Sequence, residues 1–119
     1  MPETRILLVE DDPDVRNILS IVLEGEGYTV DTAATAGEAM TRLDGARYSL
    51  VATDWRLPDG LGATVADRAA DLGARTVIIS GYLFSIPPEV GERHELLRKP
   101  MRPSEFISAV KRQLGAPAD

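Results

Sequence analysis

Apolar residues along the chain fall into five short runs separated by amphipathic stretches. The runs are Arg5–Val9, Tyr28–Ala33, Tyr48–Thr53, Thr76–Ser80 and Glu95–Arg98. Each is brief and is cut off by polar or turn residues, which predicts β-strands. Ile6-Leu7-Leu8-Val9 and Val77-Ile78-Ile79 are continuous rather than alternating, the pattern of central parallel strands covered on both faces. Between the runs the apolar period lengthens to that of a helix. Val15, Ile18, Leu19, Val22 and Leu23 share one helical face. Asp12-Pro13 supplies its start, as an N-cap acid followed by a proline whose missing N–H costs nothing there, and Gly25 and Gly27 stop it. Thr35 and Glu38 have capping-box spacing and open a second helix, with Ala36, Ala39, Met40 and Leu43 inward. Leu61, Val65, Ala69 and Leu72 mark a third helix closed by Gly73. Phe106, Ile107, Val110 and Leu114 mark the last, from Pro103 to Gly115.

The stretch Gly81–His94 departs from this regularity. Pro87-Pro88 restricts Ile86 to extended conformations and breaks any helix running through, so one or two helical turns are expected after Pro88 behind an irregular lead-in. Strand–helix alternation repeated along the chain implies a doubly wound α/β fold, a five-stranded parallel sheet with helices on both faces and a short or irregular fourth helix. The 119 residues are expected to form a single domain over 1–119, with its core at about 5–114 and a disordered tail at 115–119.

Composition narrows the chemistry. An acid excess gives a net charge of −6, which argues against a nucleic-acid surface. No cysteine is present, and His94 is the one histidine. Thiolate catalysis and Cys- or multi-His metal sites are therefore excluded, and a Ser-His-Asp hydrolase is disfavoured. The apolar run Ile6–Val9 is far too short for a signal peptide or a membrane span, so a cytoplasmic location and no membrane partner are expected.

Ligands of such a sheet bind at the carboxyl ends of its strands. There the chain carries Glu10-Asp11-Asp12, Asp54, Ser80-Gly81 and Lys99-Pro100. Crowded carboxylates repel unless a cation sits among them, and magnesium accepts a few carboxylates together with water and phosphate oxygens. With the metal in place an aspartate can attack a phosphoryl group, the developing charge being shared with an ammonium and a hydroxyl. These are the parts for phosphoryl transfer onto a carboxylate.

Leu7-Leu8-Val9-Glu10-Asp11-Asp12-Pro13, Asp54-Trp55-Arg56-Leu57-Pro58-Asp59-Gly60, Ile79-Ser80-Gly81 and Lys99-Pro100, in this order, resemble the signature of bacterial response-regulator receiver domains. The resemblance runs from about Arg5 to Leu114 and implies a flavodoxin-like strand order, 2-1-3-4-5. It makes Asp54 the acceptor of phosphate from a histidine kinase or histidine phosphotransfer protein. Asp11 and Asp54, with Glu10 through water and the backbone carbonyl of Arg56, are implied to bind Mg. Ser80 resembles the switch hydroxyl, Gly81 the small residue beside the pocket, and Lys99 the phosphoryl-binding lysine, its bond to Pro100 expected to be cis.

Blander readings stand beside these. Asp12 is explained as a helix N-cap and Asp59 as part of a Pro-Asp-Gly turn. Ser80 can be read as a plain strand end and Lys99 as a solvated lysine, although their neighbours favour function. His94, in a polar stretch, reads as a surface residue. Trp55 and Tyr82 flank the pocket as exposed gates or as packed aromatics, two readings that the sequence leaves open.

Two departures from the family pattern concern the readout. Leu96 stands three before the lysine, where an aromatic residue commonly sits, and the segment between Ser80 and Lys99 is short. Activation is therefore expected to reorder Gly81–His94 rather than to rotate an aromatic ring. Arg56 and Tyr82 are bulky, which the resemblance links to slow loss of phosphate. The implied function is a phosphoacceptor that switches a downstream protein partner, with weak homodimerisation allowed and no turnover of a separate substrate. The alternative is a phosphorylation-independent pseudo-receiver binding module. A magnesium phosphatase fits less well, because Arg56 occupies the position where a second acid is wanted. A P-loop is absent, and acids after the first strand would repel a flavin phosphate.

Overall fold

A computed structural model describes residues 3–115. The apolar runs become β1 (Arg5–Val9), β2 (Thr29–Ala33), β3 (Leu50–Asp54), β6 (Arg75–Ser80) and β7 (Glu95–Arg98). They form one parallel sheet in the order β2-β1-β3-β6-β7, which is 2-1-3-4-5 when only these five are counted. The helices are α1 (Pro13–Gly25), α2 (Ala36–Gly45), α3 (Gly62–Asp71), α4 (Pro88–Arg93) and α5 (Pro103–Gln113). None among the described residues is long and apolar enough to cross a membrane. Of the expected tail, residues 116–119 lie outside the described ones.

The strand period of two sorts the core into layers. Leu7, Val9 and Val51 point to one face and pack with Ala39 and Leu43 of α2 and Val65 and Ala69 of α3. Ile6, Leu8, Leu50, Ala52, Val77 and Ile79 point to the other and pack with Leu19 and Leu23 of α1 and Phe106 and Val110 of α5. Ile78 meets Trp55, Ala66, Ile86 and Val90 in a third cluster under α4. Both faces of the central strands are thus covered, which is why they read as unbroken apolar runs.

The helix signals act largely as expected. Asp12 is extended and its Oδ1 accepts the N–H groups of Asp14 and Val15 at 2.9 and 3.2 Å. Thr35 Oγ1 accepts the Glu38 N–H at 3.0 Å, but the Glu38 carboxylate takes the Ala34 N–H instead of that of Thr35, so the capping box is displaced by one residue. Gly27, at φ 93°, and Gly73, also at 93°, turn the chain after α1 and α3. The Lys99–Pro100 bond is cis. Ile86 is extended before Pro87, and a 3₁₀ turn at Leu83–Ser85 leads into the six-residue α4.

Several expectations need correction. Leu61 and Leu72 are exposed, because α3 starts only at Gly62, and its buried stripe is Gly62, Val65, Ala66 and Ala69. A two-stranded hairpin, β4 (Arg56–Leu57) with β5 (Gly60–Leu61), folds between Asp54 and α3 where the sequence indicated only a turn. His94 is not a surface residue. It is 4% exposed, bridging Thr76 Oγ1 through Nδ1 and Asp67 Oδ1 through Nε2, the latter at 2.7 Å. Buried polar atoms need partners, and Thr76 and Asp67 supply them from β6 and α3.

Candidate functional site

The expected residues converge because each follows a strand of the same parallel sheet. Asp54 closes β3 and Ser80 closes β6, while Glu10-Asp11 follows β1 and Lys99 follows β7. Backbone bonds carry the ladder past the strand ends. Glu10 N–H reaches Ala33 O at 3.0 Å, Trp55 N–H reaches Ile79 O at 2.8 Å, and Lys99 N–H reaches Ser80 O at 2.9 Å. The side chains are therefore fixed by sheet register rather than by loop conformation. From α1, Arg16 Nη1 donates to the Glu10 carbonyl at 2.8 Å and pins the acidic turn. Arg16 had no sequence signal beyond its place on a helix.

Glu10 and Asp54 are buried, at 1% and 5% exposure, whereas Asp11 is exposed. One carboxylate oxygen from each of the three lies within 4.8 Å of the others. Lys99 Nζ donates to Glu10 Oε1 at 3.0 Å and stands 3.1 Å from Asp54 Oδ1. The second contact is an ion pair and not a hydrogen bond, since Oδ1 is buried without a correctly aligned donor. The Asp12 N–H binds the other Glu10 oxygen at 3.1 Å.

Burial, then the hydrogen bond and charge of Glu10, push the Asp54 carboxyl up to about 8, against the pull of Lys99. Burial also works against Glu10, but bonds from Asp54, the Asp12 amide and Lys99 outweigh it and hold Glu10 below the usual carboxylate range. Burial disfavours the Lys99 ammonium as well, yet Glu10 and Asp54 keep its pKa above the ordinary lysine value. One lysine thus serves two buried acids, and a second cation is the group that would let Asp54 ionise. Three hard oxygen donors, one of them on an underbonded buried carboxylate, suit a hard divalent cation such as magnesium.

Asp11, Asp54, Arg56, Ser80, Tyr82 and Lys99 line a cleft of about 160 Å³. Ser80 Oγ accepts the Tyr82 N–H at 3.0 Å and keeps its own proton to donate. Of the two aromatics left open above, Trp55 is packed in the core with Ala66, Ile78, Ile86 and Val90, and Tyr82, 77% exposed, stands at the rim. Arg56 is exposed on β4. The Gly62 N–H donates to the Trp55 carbonyl at 2.7 Å, so the Arg56–Leu61 pair is the non-hydrogen-bonded one of the ladder. That leaves the Arg56 carbonyl free of the hairpin ladder, with both lone pairs open to a cation. Leu96 is half-buried, with its side chain against Gly91 of α4.

Comparison with known proteins identifies the family and the fold. A sequence model of the response regulator receiver domain matches residues 6–83. The DNA-binding response regulator MtrA of Mycolicibacterium smegmatis is 31% identical over 114 residues, covering 92% of this chain and 50% of the relative. The chain thus spans about half the length of curated relatives of this kind. A receiver domain protein described as CheY-like from Methanospirillum hungatei superposes with a TM-score of 0.85 at 28% identity, over 97% of this chain and 96% of that one. The response regulator TrrA of Thermotoga maritima, solved in complex with Mg(2+)-BeF, gives a TM-score of 0.82 at 28% identity, over 92% and 98%.

Proposed function

The chain belongs to the response regulator receiver domain family, and from that premise we propose that it takes a phosphoryl group from a histidine kinase or histidine phosphotransfer protein onto Asp54 and thereby switches its binding to a downstream protein. The observation that carries this reading is the Lys99 ammonium set 3.0 Å from Glu10 and 3.1 Å from Asp54, beside a buried Asp54 oxygen with no aligned donor. A carboxylate so placed lies beside a positive charge and lines the cleft that also holds Asp11, Ser80 and Lys99.

In this reading an Asp54 oxygen attacks the phosphorus of a phosphoimidazole. The P–O bond forms as the P–N bond breaks, and the departing nitrogen keeps the electron pair and takes a proton from water. Glu10, Asp11, Asp54 and the Arg56 carbonyl would hold magnesium, which when bound offsets the charge that three carboxylates and a phosphoryl group bring together. Lys99 lies within reach of a phosphoryl oxygen at Asp54, and Ser80 can donate its hydroxyl proton to another, drawing the Tyr82 loop with it. MtrA is named as DNA-binding, but the residues of this chain carry a net charge of −6, so the direct partners of this domain are read as proteins.

The test is to incubate the protein with magnesium and acetyl phosphate and to measure its intact mass beside Asp54→Asn. Gain of one phosphoryl group by the parent alone is expected. If the parent gains none and also fails to bind beryllofluoride with magnesium, the phosphoacceptor reading falls and a phosphorylation-independent binding module replaces it.

A further inference from the structure

Asp59 makes a contact that its turn motif does not predict. It sits at the tip of the β4–β5 hairpin, and both of its carboxylate oxygens leave the hairpin to bind another element. Oδ1 accepts the Ala36 N–H at 2.7 Å and Oδ2 accepts the Gly37 N–H at 2.9 Å, the first two amides of α2. The third amide of α2, that of Glu38, is taken by Thr35 Oγ1. The N-terminus of α2 is thus capped jointly, by its own Thr35 and by a carboxylate 22 and 23 residues away. These amide bonds hold the Asp59 carboxyl below its usual range.

The hairpin so tied carries Arg56, whose carbonyl is free of the ladder and which lines the cleft with Asp11 and Asp54. On the inner side Leu57 anchors the hairpin by burial in the core beside α2 and α3. On the outer side, among the side-chain hydrogen bonds of the described residues, only those of Asp59 hold the hairpin to another element. We propose that Asp59 is a positioning residue for the metal site, fixing the hairpin against α2 so that the Arg56 carbonyl completes the oxygen set begun by Glu10, Asp11 and Asp54. This inference rests on the magnesium site of the proposed function and extends it outward by one shell. Outer groups that orient metal ligands commonly change affinity by about tenfold or more. A tether acting on one ligand among several calls for less than that, about three- to tenfold.

The test is magnesium affinity, measured by isothermal titration calorimetry on the full chain. Asp59→Ala should weaken binding by about three- to tenfold, and Asp59→Asn, which keeps one acceptor oxygen but no charge, should fall between it and the parent. Thr35→Ala is the control, because it uncaps the same helix without touching the hairpin, and it should stay within about twofold. Thermal melts of all three keep loss of fold apart from loss of affinity. Equal losses in Asp59→Asn and Asp59→Ala would mean that only charge matters, and equal losses in Asp59→Ala and Thr35→Ala would mean that only helix stability matters. Either result overturns the inference, as does Asp59→Ala binding within twofold of the parent. A parent that binds no magnesium removes the proposed function as well, which separates the two failures.

Discussion

Gly62 offers the most direct test of how the site is built. Its N–H bonds the Trp55 carbonyl at 2.7 Å, and α3 therefore begins directly against the end of β3. A Cβ placed on Gly62 would lie 1.8 Å from the Asp54 carbonyl oxygen and 3.0 Å from Thr53 Oγ1. Ordinary van der Waals contact begins at 3.4 Å, so in Gly62→Ala the start of α3 must retreat by about 1.6 Å from a buried, hydrogen-bonded strand end. Overpacking of this kind costs about 1–3 kcal/mol, loss of the amide bond adds about 1 kcal/mol, and better helix propensity returns less than about 1 kcal/mol. The net expectation is a destabilisation of about 1–4 kcal/mol. For a domain of this size that is a fall in Tm of about 4–16 °C. Urea denaturation followed by circular dichroism, with thermal melts alongside, measures it. Gly25→Ala is the matched control, with no atom within 4 Å of the new Cβ, and it should be neutral or mildly stabilising. A Gly62→Ala protein within about 0.5 kcal/mol of the parent would refute the close approach of α3 to Asp54 and the geometry drawn from it.

Other outcomes follow from the same structure. Asp54 is raised from 3.8 to about 8 in the folded state, so folding without metal loses stability as pH climbs between those values, by up to about 1.4 kcal/mol per unit; Asp54→Asn should therefore raise Tm more at pH 8 than at pH 5, and an equal gain at both would contradict the shift. Arg56→Ala and Tyr82→Ala open the rim of the cleft and should each speed loss of the phosphoryl group several-fold, read as decay of the phosphorylated mass; unchanged decay in both would remove their proposed shielding. His94→Ala leaves Thr76 and a cavity unsatisfied and should cost about 2–4 kcal/mol of stability while acetyl phosphate still labels Asp54; a loss of labelling in folded protein would instead tie His94 to the chemistry. Beryllofluoride with magnesium should change amide exchange over Gly81–His94, because Ser80 Oγ holds the Tyr82 N–H and draws that loop with it as it turns to the acceptor site; unchanged protection there would defeat loop reordering as the switch.

Strand runs and helix caps were legible in the sequence because they depend on near neighbours. Continuous apolar runs mark buried parallel strands, and Asp12-Pro13 starts a helix through bonds only two and three residues long. The candidate site was legible for a related reason. In a parallel sheet every strand delivers its last residue to one edge, so Glu10, Asp11, Asp54, Ser80 and Lys99 can be gathered once the strands are known. Long-range partners had no such signature. His94 sits in a polar stretch, and its burial depends on Thr76 and Asp67, 18 and 27 residues away. Asp59 reads as a turn residue because the amides that it binds belong to a different helix.

By itself the sequence determined element type, element order and the edge of the sheet where chemistry collects, since these follow from periodicity, capping and chain direction. Only the tertiary structure decided which charges face each other, how one lysine is divided between Glu10 and Asp54, and which surface groups brace the site from outside. Those properties depend on distances between segments, and burial then decides what each distance is worth.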